Sequence, residues 1–367
     1  FSDYKIGNSL HLNFIDSRGS DKGTIYDDCT FEGNIEYSVI ISTSGIVHRH
    51  TFYNCLFQNN IGRISIERAN EKVSSIISIS GGSETDFILF DECNFLGNNG
   101  KEKGGSIYIH ECNFSPIIAK CRFEDCSGYQ GSCIYSTTHL FTLENSTFIN
   151  NKKNGELIES RDCSFIFLDI STEEIPSITN CLFIKNILII EAKVKSTLIF
   201  NNCIFENSLF LSSIDSRSEE GTIYNNCIFQ NQRQHAAIYG AGNINNHKFI
   251  ECTIQNNDHG GVEIDIENDS LSVTFESCHF YNLTSEYGGA FYIKSNALTT
   301  SMHEETIKFP ILILFCTFTS CRATESGGSI YTTYHTSIEN SIFTSSERRI
   351  SHLCWFKWNI APQFYFN

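Results

Sequence analysis

The sequence predicts an all-β fold: a right-handed parallel β-helix (solenoid) of about twelve coils. Three observations predict it. A Cys-x-Phe pair recurs along the chain at intervals of 26, 38, 28, 25, 35, 22, 24, 25, 26, 38 and 25 residues, and a period in this range is the signature of a stacked repeat. Phe (30) and Tyr (15) are abundant while only four Pro and one Met occur; β-branched and aromatic residues favour strands, and Asn, Ser and Gly favour the turns between them. The apolar segments alternate with period two and are too short for helices.

The repeat is carried by Cys29/Phe31, Cys55/Phe57, Cys93/Phe95, Cys121/Phe123, Cys181/Phe183, Cys203/Phe205, Cys227/Phe229, Cys278/Phe280 and Cys316/Phe318. Cys252/Ile254 is a variant, and Ser146/Phe148 and Ser341/Phe343 carry Ser in the Cys place. An apolar stretch precedes each pair, as in Leu198-Ile199-Phe200 or Thr222-Ile223-Tyr224. The two residues of a pair lie two apart, so both point to one face of a strand. Stacked at about 4.8 Å per coil, the Phe positions form a core ladder, and Cys beside it acts as a small hydrophobe. In-register parallel strands align their Cβ vectors side by side, which is poor disulfide geometry, so the ladder reads as free, buried thiols. Cys112, Cys126, Cys133, Cys163, Cys321 and Cys354 fall off this ladder, and a bridge such as Cys126 with Cys133 stays open. Cys112/Phe114 and Cys163/Phe165 break the interval and are expected in the longer connections.

Asn follows the Phe by three residues at Asn34, Asn60, Asn98, Asn151 and Asn186. These are expected at tight bends, where Asn tolerates left-handed backbone and can bond from coil to coil. A small-residue step then leads into the next strand: Gly104-Gly105, Gly131-Ser132, Gly260-Gly261, Gly288-Gly289 and Gly327-Gly328. Gly-Gly marks a corner where a side chain would clash or φ must be positive.

Phe-x-x-Asn alternating with Gly-Gly-Ala-Ile-like steps resembles the repeat of the chlamydial polymorphic outer-membrane proteins, over roughly residues 20 to 345. Cys126 and Cys321 take the Asn place in two coils, and Asn207, Asn231 and Asn282 sit one position early in three others. The resemblance implies a surface-exposed or secreted, adhesive β-helix of pectin-lyase-like fold without catalysis or cofactor. One domain is expected over 1–347. The span 348–367, rich in aromatics and holding both Trp, reads as a C-terminal cap or truncated coil, with an interaction patch as the other reading.

The net charge of −16 (26 Lys and Arg against 42 Asp and Glu) disfavours nucleic acid and anionic membranes as partners. The longest apolar stretch, 309–318, is about half of what a spanning helix needs, so no direct membrane span is expected. The parallel β-helix also hosts pectin-acting lyases and hydrolases, which makes a carbohydrate-active enzyme the alternative. Its best support is Asn257-Asp258-His259-Gly260-Gly261, which faintly resembles the His-Gly element of polygalacturonase-like hydrolases. The paired carboxylates such chemistry needs lie roughly 5 to 9.5 Å apart, whereas Asp27-Asp28 stands about eight units upstream, so His259 reads as a surface turn. Glu263, Asp265 and Glu267 share one strand face and read as a solvated acidic surface, with cation binding as the sharper option. His48 and His50 are strand neighbours without further ligands in view. Sequons occur at Asn113, Asn145, Asn268 and Asn282.

No catalytic, cofactor-binding or metal residue is assigned from these patterns. The expected function is adhesive or structural. Its ligand would be a glycan or host-surface protein, held by loops at 61–85, 152–176 and 294–308 on a rigid scaffold. The open ends of such a ladder favour end-to-end self-association.

Overall fold

The computed structural model describes residues 2–6, 10–11, 23–33, 40–42, 49–62, 65–66, 72–73, 77–81, 87–100, 104–112, 114–128, 131–137, 141–153, 164–170, 176–184, 188–206, 209–216, 218, 221–231, 235–242, 244, 246–266, 272–295, 311–333 and 336–344. Asn34, His48, Asn113, Cys163, Asn186, Glu267, Asn268 and the whole of 348–367 lie outside them. The fold is an all-β solenoid of parallel stacked strands, and the chain divides into two compact units: 1–207 with 213–218, and 208–212 with 219–367.

In the first unit, three ladders run side by side. The Phe ladder begins at Lys5–Ile6 and continues through Thr30–Glu32, Leu56–Gln58, Asn94–Leu96 and onward to Ile204–Glu206. Its register sets Phe31 opposite Phe57, then Phe95, Phe123, Phe148, Phe183 and Phe205. A second ladder includes Thr24–Asp27, Arg49–Tyr53 and Phe87–Asp91, and a third includes Ile77–Gly81, Ile107–Cys112 and Ile134–Ser136. The first and third ladders of this unit each count eight strands, giving about eight turns. The second unit repeats the plan with five-strand ladders, and Phe280, Phe318 and Phe343 align in register. The Phe ladder thus counts thirteen described rungs in the two units against the expected dozen, because Lys5–Ile6 adds a rung that carries no Cys-x-Phe pair.

The core follows from strand alternation: the Phe-bearing strands Thr30–Glu32, Leu56–Gln58, Asn94–Leu96 and Thr147–Ile149 each bury their central residue and leave their flanks half-exposed. Neighbouring Phe rings stack face to face, with centroids 4.5 Å apart for Phe31/Phe57 and Phe95/Phe123, and the second ladder's Phe52 and Phe90 meet them edge-on. Offset stacked and T-shaped pairs are the favoured aromatic arrangements, so one column supplies both burial and register.

The Cys252/Ile254 variant interrupts the stack of rings in the second unit, and two other expectations are corrected here. Phe229 is fully buried as expected, but the next rung sets Ile254 opposite it, and Ile254 in turn faces Phe280. Ile254 fills the core position without offering a ring face. Phe229 is instead met edge-on by Tyr224 and Phe249 of the neighbouring ladder, at centroid distances of 6.1 and 5.7 Å. Asn60, Asn98 and Asn151 are not the left-handed residues: that conformation belongs to the residue before them, Asn59, Gly97 and Asn150. The Asn side chains instead turn inward and are buried. A second left-handed position precedes each ladder Cys, as at Asp28, Asn54, Asn180 and Asn226. The long connections are also shorter than expected. Ile77–Gly81, Ile107–Cys112 and Ser164–Ile170 are strands of the third ladder, because their apolar alternation completes the third side of a turn. Within 61–85 only the antiparallel pair Ser65–Ile66 with Lys72–Val73 departs from parallel stacking among the described residues.

Candidate functional site

The repeat residues serve the corners. Thirteen described cysteines are buried, free thiols, among them Cys29, Cys55, Cys93, Cys121, Cys181, Cys203, Cys227, Cys252, Cys278 and Cys316. Each corner leaves a backbone carbonyl facing the interior, and an unpaired one is costly. Cys55 Sγ donates to Tyr26 O at 3.4 Å, Cys93 to Phe52 O at 3.3 Å, Cys203 to Ile178 O at 3.4 Å and Cys278 to Phe249 O at 3.4 Å. Ser substitutes because its hydroxyl meets the same kind of corner: Ser146 Oγ accepts from Cys121 N and donates to Glu144 O. The Asn column does the equivalent one corner later. Asn60, Asn98 and Asn151 donate to Phe31 O, Phe57 O and Phe123 O at 3.0, 2.8 and 3.1 Å. Cys126 and Cys321 replace Asn there and donate to Phe95 O and Phe280 O at 3.3 and 3.5 Å. Cys126 and Cys133 are buried neighbours, with Ser106 Oγ 3.2 Å from Cys126 Sγ. Coil-to-coil Asn bonding of the kind expected at bends occurs in the core, where Asn60 Nδ2 donates to Asn98 Oδ1 at 3.2 Å, and outside it, along Asn202, Asn180 and Asn145 and between Asn282 and Asn256.

The sharper candidates separate. His50 is fully buried, its ring 6.1 Å from that of Tyr26, so it is a core residue and no surface ligand. Asp27 and Asp28 sit at a corner of the first unit, where Asn54 bonds Asp28. Asp258 and His259 form an exposed turn in the second unit.

That turn borders a concavity of the second unit, a cleft of about 310 Å³. Asp258, His259, Glu263, Glu286, Tyr287 and Tyr292 line it, with His235 at its margin. The third ladder of this unit builds its wall. Register stacks Tyr239, Glu263, Tyr292 and Tyr331 in one outward column, and Ala241, Asp265 and Lys294 in the next but one. Gly260, Gly288 and Gly327 hold positive φ at the corner entering these strands; a Cβ on Gly288 would lie 1.9 Å from Phe291 O. The rings of Tyr287 and Tyr292 stack with centroids 5.4 Å apart, and Tyr331 lies 5.6 and 5.5 Å from them.

The charges of the cleft follow from these columns. Lys294 Nζ stands 3.5 Å from Asp265 Oδ2, 3.8 Å from Glu263 Oε1 and 5.5 Å from the Tyr292 ring centroid. Partial burial works against its charge, yet Asp265 and Glu263 hold its pKa above the ordinary lysine value. The acidic strand face read from the sequence therefore has its cation in Lys294. The charge of Glu286, with Glu325 behind it, pushes the Tyr287 phenol up; burial does so at Tyr292. No group of three or more His, Cys, Asp or Glu among the described residues is placed to hold a metal ion, and no described helix is long and apolar enough to cross a membrane.

Sequence reasoning named Asp258, His259, Glu263 and Asp265 but missed Glu286, Tyr287, Tyr292 and Tyr331. The available signal was the Tyr four residues after the first Gly of the corner, at Tyr292 and Tyr331. The same position in the first unit, Tyr108 and Tyr135, is buried with Phe167 in a stacked cluster. Scanned against protein-family models and searched against curated proteins, the chain matches none.

Proposed function

We propose that this solenoid is a non-enzymatic binding protein of a cell surface or secreted assembly, adhesive in role, which presents its ligand site on rigid ladders. The observation that carries the proposal is the cleft of the second unit: stacked tyrosines and carboxylates facing outward from strands whose inner faces are locked into the core. Aromatic faces and precisely placed polar groups on a pre-formed wall are what ligand recognition uses. The repeat resemblance supports the surface location, and the thiols and amides of the ladder serve coil-to-coil bonding.

Binding of the purified chain to a glycan array and to intact cells tests the reading, with a polysaccharide-cleavage assay on the same glycans. Binding without cleavage is the expected result. Cleavage of a polysaccharide overturns it and transfers the cleft to the carbohydrate-active alternative.

A further inference from the structure

The cleft wall repeats the kind of groups that hold Lys294 beside it. There an ammonium sits near two carboxylates, Glu263 and Asp265, and over a tyrosine face. On the cleft wall itself stand Glu286 and Asp258, with the ring of Tyr287 stacked on Tyr292 and Glu325 close enough to act on the Tyr287 phenol. Among the described residues, no Lys or Arg pairs with Asp258, Glu286 or Glu325. The cleft thus carries three wall carboxylates (Asp258, Glu263, Glu286) beside His235 and His259, and Lys294, next to the wall, is engaged by Glu263 and Asp265.

We infer that the cleft receives a cationic side chain, the Lys or Arg of a basic polypeptide segment, with its charge between Glu286 and Asp258 and its aliphatic stem on Tyr287. Carboxylates supply the charge-assisted bonds, and the ring face adds cation–π attraction. A basic stem covers aromatic surface while its head stays paired. The chain's net charge of −16 steers such a segment toward it and repels acidic glycans. This assignment rests on the binding reading above and names its ligand.

The test is fluorescence anisotropy with a labelled peptide of alternating Lys and Gly, beside the same peptide with every lysine acetylated. The lysine peptide binds and the acetylated one does not. The double variant Glu286→Gln/Asp258→Asn weakens binding about tenfold or more, and Tyr287→Leu weakens it several-fold. Glu276→Gln, an exposed carboxylate on a different ladder of the same unit, leaves it within about twofold. Equal binding of the acetylated peptide, indifference to the double variant, or no binding at about 1 mM peptide overturns the inference. If the lysine peptide fails while a neutral glycan binds and is lost in the same variants, the ligand class is wrong and the binding reading stands. Cleavage of that glycan overturns both.

Discussion

Truncating one ring of the Phe column should cost far more inside the stack than at its end. Phe318 is fully buried and has a ring on each side, Phe280 at 4.9 Å and Phe343 at 4.5 Å, both near parallel. Phe318→Ala removes both stacking partners and leaves an enclosed void, a change that costs about 3 to 5 kcal/mol in packed cores. Phe343 belongs to the last described rung, is 38% exposed, and stacks on Phe318 from one side. Phe343→Ala opens no closed cavity and loses only part of a burial worth about 1.5 to 3 kcal/mol in full, so about 1 to 2 kcal/mol is expected. Both residues belong to the second unit, so urea denaturation followed by circular dichroism compares them on one cooperative transition. Losses equal within about 0.5 kcal/mol would refute the claim that stacking on both sides carries the column.

Three further outcomes follow from the corners and the core. Burial pushes the thiols of Cys93, Cys133 and Cys181 well above their ordinary values, and thirteen described cysteines are buried; a chromogenic disulfide reagent should therefore find no more than three of the sixteen thiols reactive before unfolding. Asn98→Cys should be tolerated better than Asn98→Leu, because Cys126 and Cys321 already donate at that corner; leaving Phe57 O without its donor costs about 1 to 3 kcal/mol, read as a shift in the urea midpoint. His247, buried beside Tyr224, has its pKa lowered by burial to about 3 from 6.5. The unfolded chain binds this proton first as pH falls, so stability is full above about 6.5 and falls by about 1.4 kcal/mol per pH unit below it, down to about 3. Comparison with His247→Phe at matched pH isolates this contribution from the carboxylates; identical acid profiles would count against it.

The fold was legible because a single short signal repeats. Cys-x-Phe fixes which face is inward, and the near-25-residue interval requires that like positions meet. Burial followed from that pattern even where stacking did not: Phe229 is as buried as Phe318, but the Ile at 254 breaks the column of rings beside it. The roles of the corner residues were less legible: Asn is common both at left-handed positions and as a buried donor, and Phe-x-x-Asn does not say which. Structure separates them by one residue, Asn59 from Asn60 and Asn150 from Asn151. The third-ladder strands in 61–85 and 152–176 were hidden because Ile77–Gly81 lacks the Cys-x-Phe mark and the pair at Ser164–Ile170, Cys163/Phe165, breaks the interval of the other pairs. The cleft was half legible. Asp258 and Glu263 stand close in sequence whereas Glu286 lies on the next coil, and an outward Tyr becomes a binding surface only where nothing covers it. Tyr108 and Tyr292 follow the same Gly-Gly step, yet one is 2% exposed and the other half-buried at a cleft wall.

The most direct test sets wild type beside Glu286→Gln/Tyr287→Leu on the same array of glycans and lysine-bearing peptides, with product analysis for cleavage. The account predicts a ligand that wild type binds without cleaving and that the variant loses while its thermal unfolding is unchanged. A cleaved substrate, or binding that ignores the variant, would contradict it.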